Sequence, residues 1–232
     1  MLHGQFDLPI WFDLMATFAF ALTGALAALR RHYDIVGIFS LSLICGIGGG
    51  LIRDGIFISS GPPALVTDPR YIETVALATG LGILLAPRIH RFNSVILVAD
   101  AIGLGTYAVF GTQKSLGAGI SLPAALLVGV INAAGGGILR DVLSREEPMV
   151  FKPGEFYVLV ALAGAVTFVS IGMFAPVSAS VAAIIAIAVT FTLRMLGLWF
   201  NWKTTAPVRV PTPKDCPSPP PPPAPPPPRH ER

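Results

Sequence analysis

The sequence predicts an all-α membrane protein with seven transmembrane helices, arranged as two inverted three-helix repeats plus a seventh helix. Composition indicates the class, because 53% of the 232 residues are hydrophobic and only 12% are charged, whereas soluble domains are about a quarter charged. Seven apolar stretches indicate the helix count, and a doubled glycine motif indicates the repeat. The chain has too few charged residues to cover the surface of a soluble globular protein. The composition therefore indicates a protein that lies in the membrane.

The helices are predicted from the lengths of the apolar stretches. A bilayer core requires about 20 apolar residues per helix. Seven stretches approach or reach this length: 11–30, 34–57, 71–87, 93–111, 119–143, 155–173 and 177–199. Since lipid offers no hydrogen-bond partner to backbone N–H and C=O groups, each stretch is predicted to be helical.

Lysine and arginine residues predict the orientation in the membrane. With the N-terminus outside, 13 of the 16 basic residues fall on the cytoplasmic side, and only Arg53, Arg70 and Lys114 fall outside. Basic residues normally concentrate in cytoplasmic loops. Arg30 and Arg31 follow the first stretch and no basic residue precedes it, which favours a retained helix over a cleaved signal peptide. We therefore expect a multi-pass protein of the cell (inner) membrane with a cytoplasmic C-terminus.

The composition changes after residue 206. The remaining segment contains CPSPPPPPAPPPPRHER, and consecutive prolines favour a solvated polyproline II conformation rather than a packed core. The sequence therefore divides into a first repeat (1–92), a second, inverted repeat (93–175), a seventh transmembrane helix (176–206) and a disordered proline-rich tail (207–232).

Two glycine motifs mark the internal repeat, GIGGGLIRD at 46–54 and AAGGGILRD at 133–141, which lie 87 residues apart. The same offset, or one of 86 for the last pair, relates further positions: Asp13 with Asp100, Gly24 with Gly111, and Tyr71 with Tyr157. The two copies span 11–87 and 98–173. Because three helices is an odd number, the second copy enters the membrane in the opposite sense. Many transport proteins have such inverted repeats, with the solute path at the repeat interface.

The glycine runs allow two interpretations. Small residues let two helices pack closely. Alternatively, the run forms a kink or a short unwound turn whose free carbonyls face a cavity, where a cation can use them as ligands. Three consecutive glycines point all around a helix, which packing alone does not require. The sequence therefore favours the kink or short unwound turn.

Charged side chains inside the apolar stretches need a partner or water, since burying one costs about 3 kcal/mol or more. The topology puts Asp13 and Arg53 near one membrane face and Asp100 and Arg140 near the other, which suggests two pseudo-symmetric pairs. Adjacent residues on a helix do not face each other, so Arg53 is predicted to be a poor partner for Asp54. The alternative is that these residues extend into water at helix ends.

Among the uncharged polar residues of the apolar stretches, Asn132 is the best candidate for lining a path, at the position that Cys45 occupies in the first copy. The histidines lie at helix ends or in loops, no nucleophile has a recognisable base, and no cysteine–histidine cluster predicts a metal site. We therefore expect no enzymatic activity, no cofactor, no structural metal and no nucleic-acid partner.

With these motifs the chain resembles the prokaryotic trimeric intracellular cation channel family, whose repeat unit has also been described as a putative glycine transporter domain. The resemblance covers about residues 8–200. It implies a homotrimer in the lipid bilayer with one pore per protomer for K⁺ and also Na⁺, lined by helices 2 and 5 kinked at their glycine runs. It nominates these pore residues: Gly48, Gly49, Gly50, Gly135, Gly136, Gly137, Arg53, Asp54, Arg140 and Asp141. Asp13, Asp100 and Asn132 complete the predicted ion path.

Three functions are open at this point. The preferred one is a passive cation channel, the second is a secondary transporter of a small amino acid such as glycine, and the third is an accessory subunit whose charges serve assembly. Arginines near both mouths would repel cations unless aspartates neutralise them. No Lys-Glu-Val motif, which engages phosphoinositide in animal members of the family, occurs in the chain, so lipid regulation of that kind is not expected.

Overall fold

The computed structural model describes residues 7–58, 61–88, 92–152, 156–200 and 202. Within them the chain is all-helical, with seven long helices: α1 (Trp11–Arg30), α2 (Ile35–Ile52), α3 (Arg70–Leu85), α4 (Phe92–Gly117), α5 (Leu122–Leu143), α6 (Tyr157–Phe174) and α7 (Ala179–Trp199). Four short helical segments connect them: Arg53–Ile58, Ala64–Thr67, Ala86–Arg88 and Met149–Phe151. The predicted helical class is confirmed, whereas the predicted tail, 207–232, lies outside the described residues.

Side-chain caps begin two of the helices. The Asp34 carboxylate accepts a hydrogen bond from the backbone N–H of Gly37 at 2.8 Å, at the start of α2. The Ser178 hydroxyl accepts one from the backbone N–H of Val181 at 3.4 Å, at the start of α7. Such caps satisfy backbone donors that have no partner within the helix. Asp34 and Ser178 lie at or next to the start of the predicted stretches 34–57 and 177–199, so both caps agree with the predicted helix starts.

α4 and α3 are the longest and the shortest of the seven long helices. α4 continues to Gly117 because the hydroxyls of Thr112 and Ser115 donate to carbonyls one turn earlier, which keeps these polar residues compatible with a helix. α3 has 16 residues, and at about 1.5 Å per residue it is shorter than the roughly 30 Å hydrocarbon core. The other six long helices of the described chain have the length and composition needed to cross a membrane.

The ends of α1 and α4 show that the two repeats run in opposite directions. At one end of the molecule, the Gln113 amide near the end of α4 donates to Asp7, which precedes α1, at 3.1 Å. At the other end, Arg30 in the last turn of α1 donates to Asn93 at the start of α4. α1 and α4 are therefore antiparallel, as the inverted repeat predicts.

α1 and α4 form the centre of the molecule. In the apolar segment of α4 78% of residues are buried, compared with 28% in α7. α1 packs against α2 and α3 of its own repeat, and α4 packs against α5 and α6 of the second. α1 contacts α4, and α2 contacts α5, across the repeat interface. α7 lies outside this arrangement, against α4 and α6.

Candidate functional site

A buried group of charged and tyrosine side chains lies where α1 begins and α2 ends. This first cluster consists of Asp13, Arg53, Asp54, Tyr71 and Lys114. The Arg53 guanidinium donates from Nη1 to Asp13 Oδ1 at 3.1 Å and from Nη2 to Asp13 Oδ2 at 3.0 Å. Both side chains are only 1% exposed. The predicted Asp13–Arg53 pair is therefore present, with the two-pronged geometry of the stronger charge-assisted bonds.

The other members of the first cluster satisfy the remaining carboxylate oxygens. The Tyr71 hydroxyl donates to Asp13 Oδ2 at 2.6 Å. Arg53 also donates from Nε to Asp54 Oδ1 at 2.6 Å and from Nη2 to Asp54 Oδ2 at 3.0 Å. Lys114 Nζ donates to Asp54 Oδ2 at 2.8 Å. Two carboxylates thus face two cations, so every charge in the cluster has a partner, as a buried charge requires.

A corresponding group lies near the start of α4 and the end of α5. This second cluster consists of Asp100, Arg140, Asp141, Ser144 and Tyr157. Arg140 donates from Nη1 to Asp100 Oδ1 at 2.8 Å and from Nε to Asp141 Oδ1 at 2.9 Å. The predicted Asp100–Arg140 pair is therefore also present. The repeat symmetry that relates the two clusters in the sequence thus holds in space.

The second cluster has fewer hydrogen bonds than the first. Three of its buried atoms have no hydrogen-bond partner among the described residues: Asp100 Oδ2, Arg140 Nη2 and Tyr157 OH. The corresponding atoms of the first cluster are all bonded: Asp13 Oδ2, Arg53 Nη2 and Tyr71 OH. The Ser144 hydroxyl is likewise buried without a partner in the described part of the chain. Because an unsatisfied buried polar group costs about 1–3 kcal/mol, the second cluster is the weaker of the two.

Removing one hydroxyl from each cluster is expected to have unequal effects. Tyr71→Phe deletes the bond to Asp13 and should lower the free energy of unfolding by about 1–2 kcal/mol. Tyr157→Phe deletes a buried hydroxyl that has no partner among the described residues, so it should leave the free energy of unfolding unchanged or raise it by up to about 1 kcal/mol. Unfolding of both purified variants in detergent measures the difference, and equal losses would contradict the asymmetry of the clusters.

The prediction that Arg53 is a poor partner for Asp54 is wrong, and the same bond joins Arg140 to Asp141. Adjacent side chains do leave a helix in different directions. An arginine side chain is long, however, and its planar guanidinium carries five N–H donors. Each arginine therefore holds two carboxylates at once, one on a neighbouring helix and one next to it in the sequence.

The prediction of an unwound turn at the glycine runs is also wrong, because both runs lie inside continuous α-helix. α2 and α5 cross there at short range. A Cβ atom on Gly49 would lie 2.2 Å from the carbonyl oxygen of Asn132, and one on Gly136 would lie 2.6 Å from that of Cys45. A Cβ atom on Gly135 would lie 3.0 Å from Gly49 Cα. The structure supports the close-packing interpretation.

The remaining glycines of the runs lie beside the clusters or a flexible side chain. A Cβ atom on Gly50 would lie 3.7 Å from Arg53 Nη2, so a methyl group fits there. A Cβ atom on Gly137 would lie 2.8 Å from the Tyr157 hydroxyl, and one on Gly48 would lie 2.2 Å from Leu139 Cδ1. All the residues predicted for the ion path thus lie in the two clusters or at the crossing between them.

The helical geometry changes directly after α2, where Arg53–Ile58 form a π-helical segment. A π-helix has wider turns than an α-helix and usually occurs as a single turn, often at functional sites. This segment provides Arg53 and Asp54 of the first cluster. The predicted apolar stretch 34–57 runs through this segment with Arg53 and Asp54 as its two charged residues. Neither composition nor apolar length predicts the change from α- to π-helical geometry.

Aromatic and amide side chains fill the repeat interface between the two clusters. Phe20 and Tyr107, which occupy equivalent positions of the two copies, stack with ring centroids 5.5 Å apart, and both are buried. The Tyr107 hydroxyl donates to the Gly46 carbonyl at 2.6 Å. Asn132 Nδ2 donates to the Tyr107 carbonyl at 2.8 Å, whereas its Oδ1 has no partner among the described residues. This central layer separates the first cluster from the second.

Each cluster borders a recess. The first recess has a volume of about 10 Å³ and is lined by residues that include Gly50, Arg53 and Asp54. The second recess has a volume of about 210 Å³ and is lined by residues that include Arg140 and Ser144. The two recesses lie at opposite ends of the crossing between α2 and α5.

The loop after α5 lines the second recess. Glu146 forms ion pairs with Arg30 and Arg31 at the end of α1. The backbone N–H of Met149 donates to Asp141 Oδ2 at 3.0 Å. The loop is thereby fixed both to the first repeat and to the second cluster.

Four residues of the clusters were not among the predicted path residues: Tyr71, Lys114, Ser144 and Tyr157. Tyr71 and Tyr157 form the pair at an offset of 86 in the repeat alignment, and that correspondence is the signal that could have identified them. Lys114 was read only as a basic residue outside an apolar stretch. Its contact with Asp54 could not be found from spacing, because 60 residues separate the two.

The sequence is similar to a known family of membrane proteins. The family model described as Glycine transporter matches it twice, at residues 10–87 and 97–173. The UPF0126 inner membrane protein YadS of Escherichia coli K12 is 31% identical over 197 residues, which cover 84% of this chain and 94% of that protein. A UPF0126 membrane protein of Vibrio cholerae is 34% identical over 196 residues, with 84% and 80% covered. The two matched segments coincide with the two copies seen in the sequence.

Solved structures of similar architecture are cation channels. The TRIC trimeric intracellular cation channel orthologue from Rhodobacter sphaeroides has a TM-score of 0.77 and 33% identity, over 82% of this chain and 97% of that one. A further TRIC cation channel has a TM-score of 0.74 and 28% identity, over 89% and 100% of the two chains. Both are channels rather than enzymes, in agreement with the prediction of no enzymatic activity.

Proposed function

The chain belongs to the TRIC family of multi-pass membrane proteins, and on this premise we propose that it is a homotrimeric channel for monovalent cations, K⁺ and also Na⁺, with one pore in each protomer. The pore follows the interface between the repeats, where α2 and α5 cross. The observation that carries the proposal is the pair of recesses at the two ends of this crossing, each bordered by a buried arginine–aspartate pair.

The proposed path runs from the first recess past Gly50, through the central layer of Phe20, Tyr107 and Asn132, to the second recess. The central layer is closely packed, so conduction requires it to move. Asn132 Oδ1 supplies an acceptor oxygen without a partner among the described residues halfway along the path. Neutral oxygen atoms of this kind replace part of the hydration shell of a permeating cation.

The arginines at both ends are compatible with cation entry in this arrangement. Arg53 faces the carboxylates of Asp13 and Asp54, and Arg140 faces those of Asp100 and Asp141. Each guanidinium is therefore outnumbered by the carboxylates that hold it, and its repulsion of a passing cation is reduced. The pairing with aspartates therefore supports a cation pore that has an arginine near each end.

We assign the second recess to the cytoplasmic side and the N-terminus to the outer side. Arg30, Arg140 and Lys152 line that recess, and basic residues concentrate on the cytoplasmic side of membrane proteins. The trimer is proposed by similarity to the Rhodobacter sphaeroides channel, and light scattering of the purified protein in detergent should give the mass of three chains.

Recording from the purified protein in a planar bilayer under a KCl gradient tests the channel. We expect discrete openings that reverse near the K⁺ potential, persist when NaCl replaces KCl, and stop when choline chloride replaces both. Asn132→Asp keeps the shape of the side chain and adds a negative charge in the path, so it should raise the ratio of cation to anion permeability by roughly threefold or more.

Gln113→Glu is the matched control, because it adds the same charge at the end of α4, outside the proposed path. It should leave the permeability ratio unchanged. Reversal near the Cl⁻ potential, or equal effects of the two substitutions, would count against this path.

A second candidate is a carrier for a small zwitterion such as glycine. One feature of the second cluster favours the carrier. A buried acceptor, Asp100 Oδ2, and a buried donor, Arg140 Nη2, both have no partner in the described part of the chain. An ammonium and a carboxylate group are the natural partners of these two atoms. Saturable glycine uptake into vesicles, by a folded protein that is silent in the bilayer, would favour the carrier over the channel.

A further inference from the structure

Lys114 is the least buried charged member of the first cluster. Its side chain is 32% exposed, compared with 1% for Arg53 and 9% for Asp54, to which it is bonded. Its ammonium group donates to Asp54 Oδ2 at 2.8 Å from the end of α4. Ion pairs with a solvent-exposed partner contribute little stability, because water and salt compete for both charges. The Lys114–Asp54 contact is therefore easier to exchange than any other ion pair described in this cluster.

The corresponding oxygen of the second cluster has a different partner. Asp141 Oδ2 accepts from the backbone N–H of Met149 at 3.0 Å, and a backbone group cannot move away as a lysine side chain can. Ala27 occupies the position that corresponds to Lys114 at the 87-residue offset. An exchangeable cation on a cluster carboxylate is thus a property of the first cluster alone among the two, although the lysine itself lies on α4 of the second repeat.

If the Lys114 ammonium moved away, the first cluster would carry one uncompensated negative charge. Asp13 and Asp54 carry two negative charges and Arg53 carries one positive charge, so the cluster without Lys114 has room for one monovalent cation. Asp54 would keep its two bonds from Arg53 at 2.6 and 3.0 Å, which hold its carboxylate in place. The carboxylate oxygen that Lys114 would free is a hard ligand of the type that binds hard cations.

We propose that Lys114 is a built-in competitor of the permeant cation at the first recess, with Asp54 Oδ2 as the oxygen for which they compete. This inference rests on the proposed function, since it concerns cations that enter a pore. An entering K⁺ ion replaces the lysine ammonium on Asp54 while Lys114 turns into solvent, so the cluster never carries an uncompensated charge. Lys114 thereby sets the cation concentration at which the pore fills.

Single-channel conductance measured from low to high KCl tests this role in Lys114→Met and Lys114→Arg. Lys114→Met removes the competitor and should lower the half-saturating K⁺ concentration by roughly threefold or more. Lys114→Arg keeps the positive charge, so its half-saturating K⁺ concentration should lie closer to that of wild type than to that of Lys114→Met. A Lys114→Met channel with the wild-type concentration dependence, or with a higher half-saturating concentration, would overturn the proposal.

A binding measurement separates failure of this inference from failure of the channel itself. Thermal unfolding in detergent is followed in KCl and in choline chloride at equal ionic strength. Lys114→Met should show a larger stabilisation by K⁺ over choline than wild type, in which the lysine competes for the site, and adding Asp54→Asn should abolish it. Absence of K⁺-specific stabilisation in Lys114→Met overturns the proposal even where currents are recorded. A silent wild-type protein that shows the expected K⁺ effect in Lys114→Met would overturn the channel and leave the cation site in place.

Discussion

Arg53→Met is expected to lower the free energy of unfolding by about 3–5 kcal/mol, because breaking a buried ion pair leaves an uncompensated buried charge. The substitution would strand Asp13, because Arg53 is its one cationic partner among the described residues and donates to both of its carboxylate oxygens. Asp54 would lose two bonds from Arg53 but would keep the bond from Lys114. Adding Asp13→Asn should recover part of the loss, because it removes the stranded charge. Denaturant or thermal unfolding of the two single variants and the double variant in detergent gives the coupling energy between the two positions.

Arg70→Met is the matched control for this experiment. Arg70 also bonds an aspartate, Asp68, but its side chain is 55% exposed, and exposed ion pairs contribute little. We expect no measurable change in stability. Additive losses of stability in the Arg53 and Asp13 variants would show that the two residues are not coupled. A loss in Arg70→Met as large as that in Arg53→Met would show that burial does not determine the strength of the ion pair.

Gly49→Ala is expected to have a free energy of unfolding about 1–3 kcal/mol below that of Gly50→Ala and to abolish current, whereas Gly50→Ala should equal wild type or exceed it by up to about 1 kcal/mol. A Cβ on Gly49 would lie 2.2 Å from the backbone carbonyl oxygen of Asn132, but a Cβ on Gly50 would lie 3.7 Å from its nearest neighbour. Overpacking against rigid backbone typically costs about 1–3 kcal/mol. Alanine also improves helix propensity equally at both positions, so the difference between the variants isolates the crossing of α2 and α5.

Unfolding in detergent and bilayer recording of both variants measure these effects. Gly136→Ala extends the test to the second repeat, because a Cβ there would lie 2.6 Å from the carbonyl oxygen of Cys45. Equal free energies of unfolding for the Gly49 and Gly50 variants would mean that α2 and α5 can move apart without loss of stability. The close crossing of these two helices would then not stabilise the contact between the repeats.

The sequence was sufficient for those features that depend on composition and periodicity. Apolar length located the helices, the 87-residue offset located the repeat, and depth in the membrane paired Asp13 with Arg53 and Asp100 with Arg140. These inferences succeed because lipid imposes helix on any long apolar stretch and because a buried charge needs an opposite charge. Both constraints act on residue type alone.

Features that depend on local geometry were predicted wrongly or not at all. The sequence of the glycine runs predicts a kink or an unwound turn because it does not show which helix approaches them. In the structure a backbone carbonyl oxygen lies 2.2 Å from where the Cβ atom of a residue at Gly49 would be. The bond from Arg53 to Asp54 depends on the reach of a long side chain, which helix periodicity ignores. Lys114 contacts Asp54 only because α4 ends beside the first cluster.

The π-helical segment Arg53–Ile58 lies in an interval whose length differs between the two copies. Seventeen positions separate Asp54 from Tyr71, but sixteen separate Asp141 from Tyr157. The hydrogen bonds of a π-helix span five residues instead of four, so the backbone that follows Arg53 differs from the α-helix that contains Arg140. In evolutionary terms, the symmetry of a duplicated unit is broken at this point, and selection can adjust one end of the molecule without changing the other.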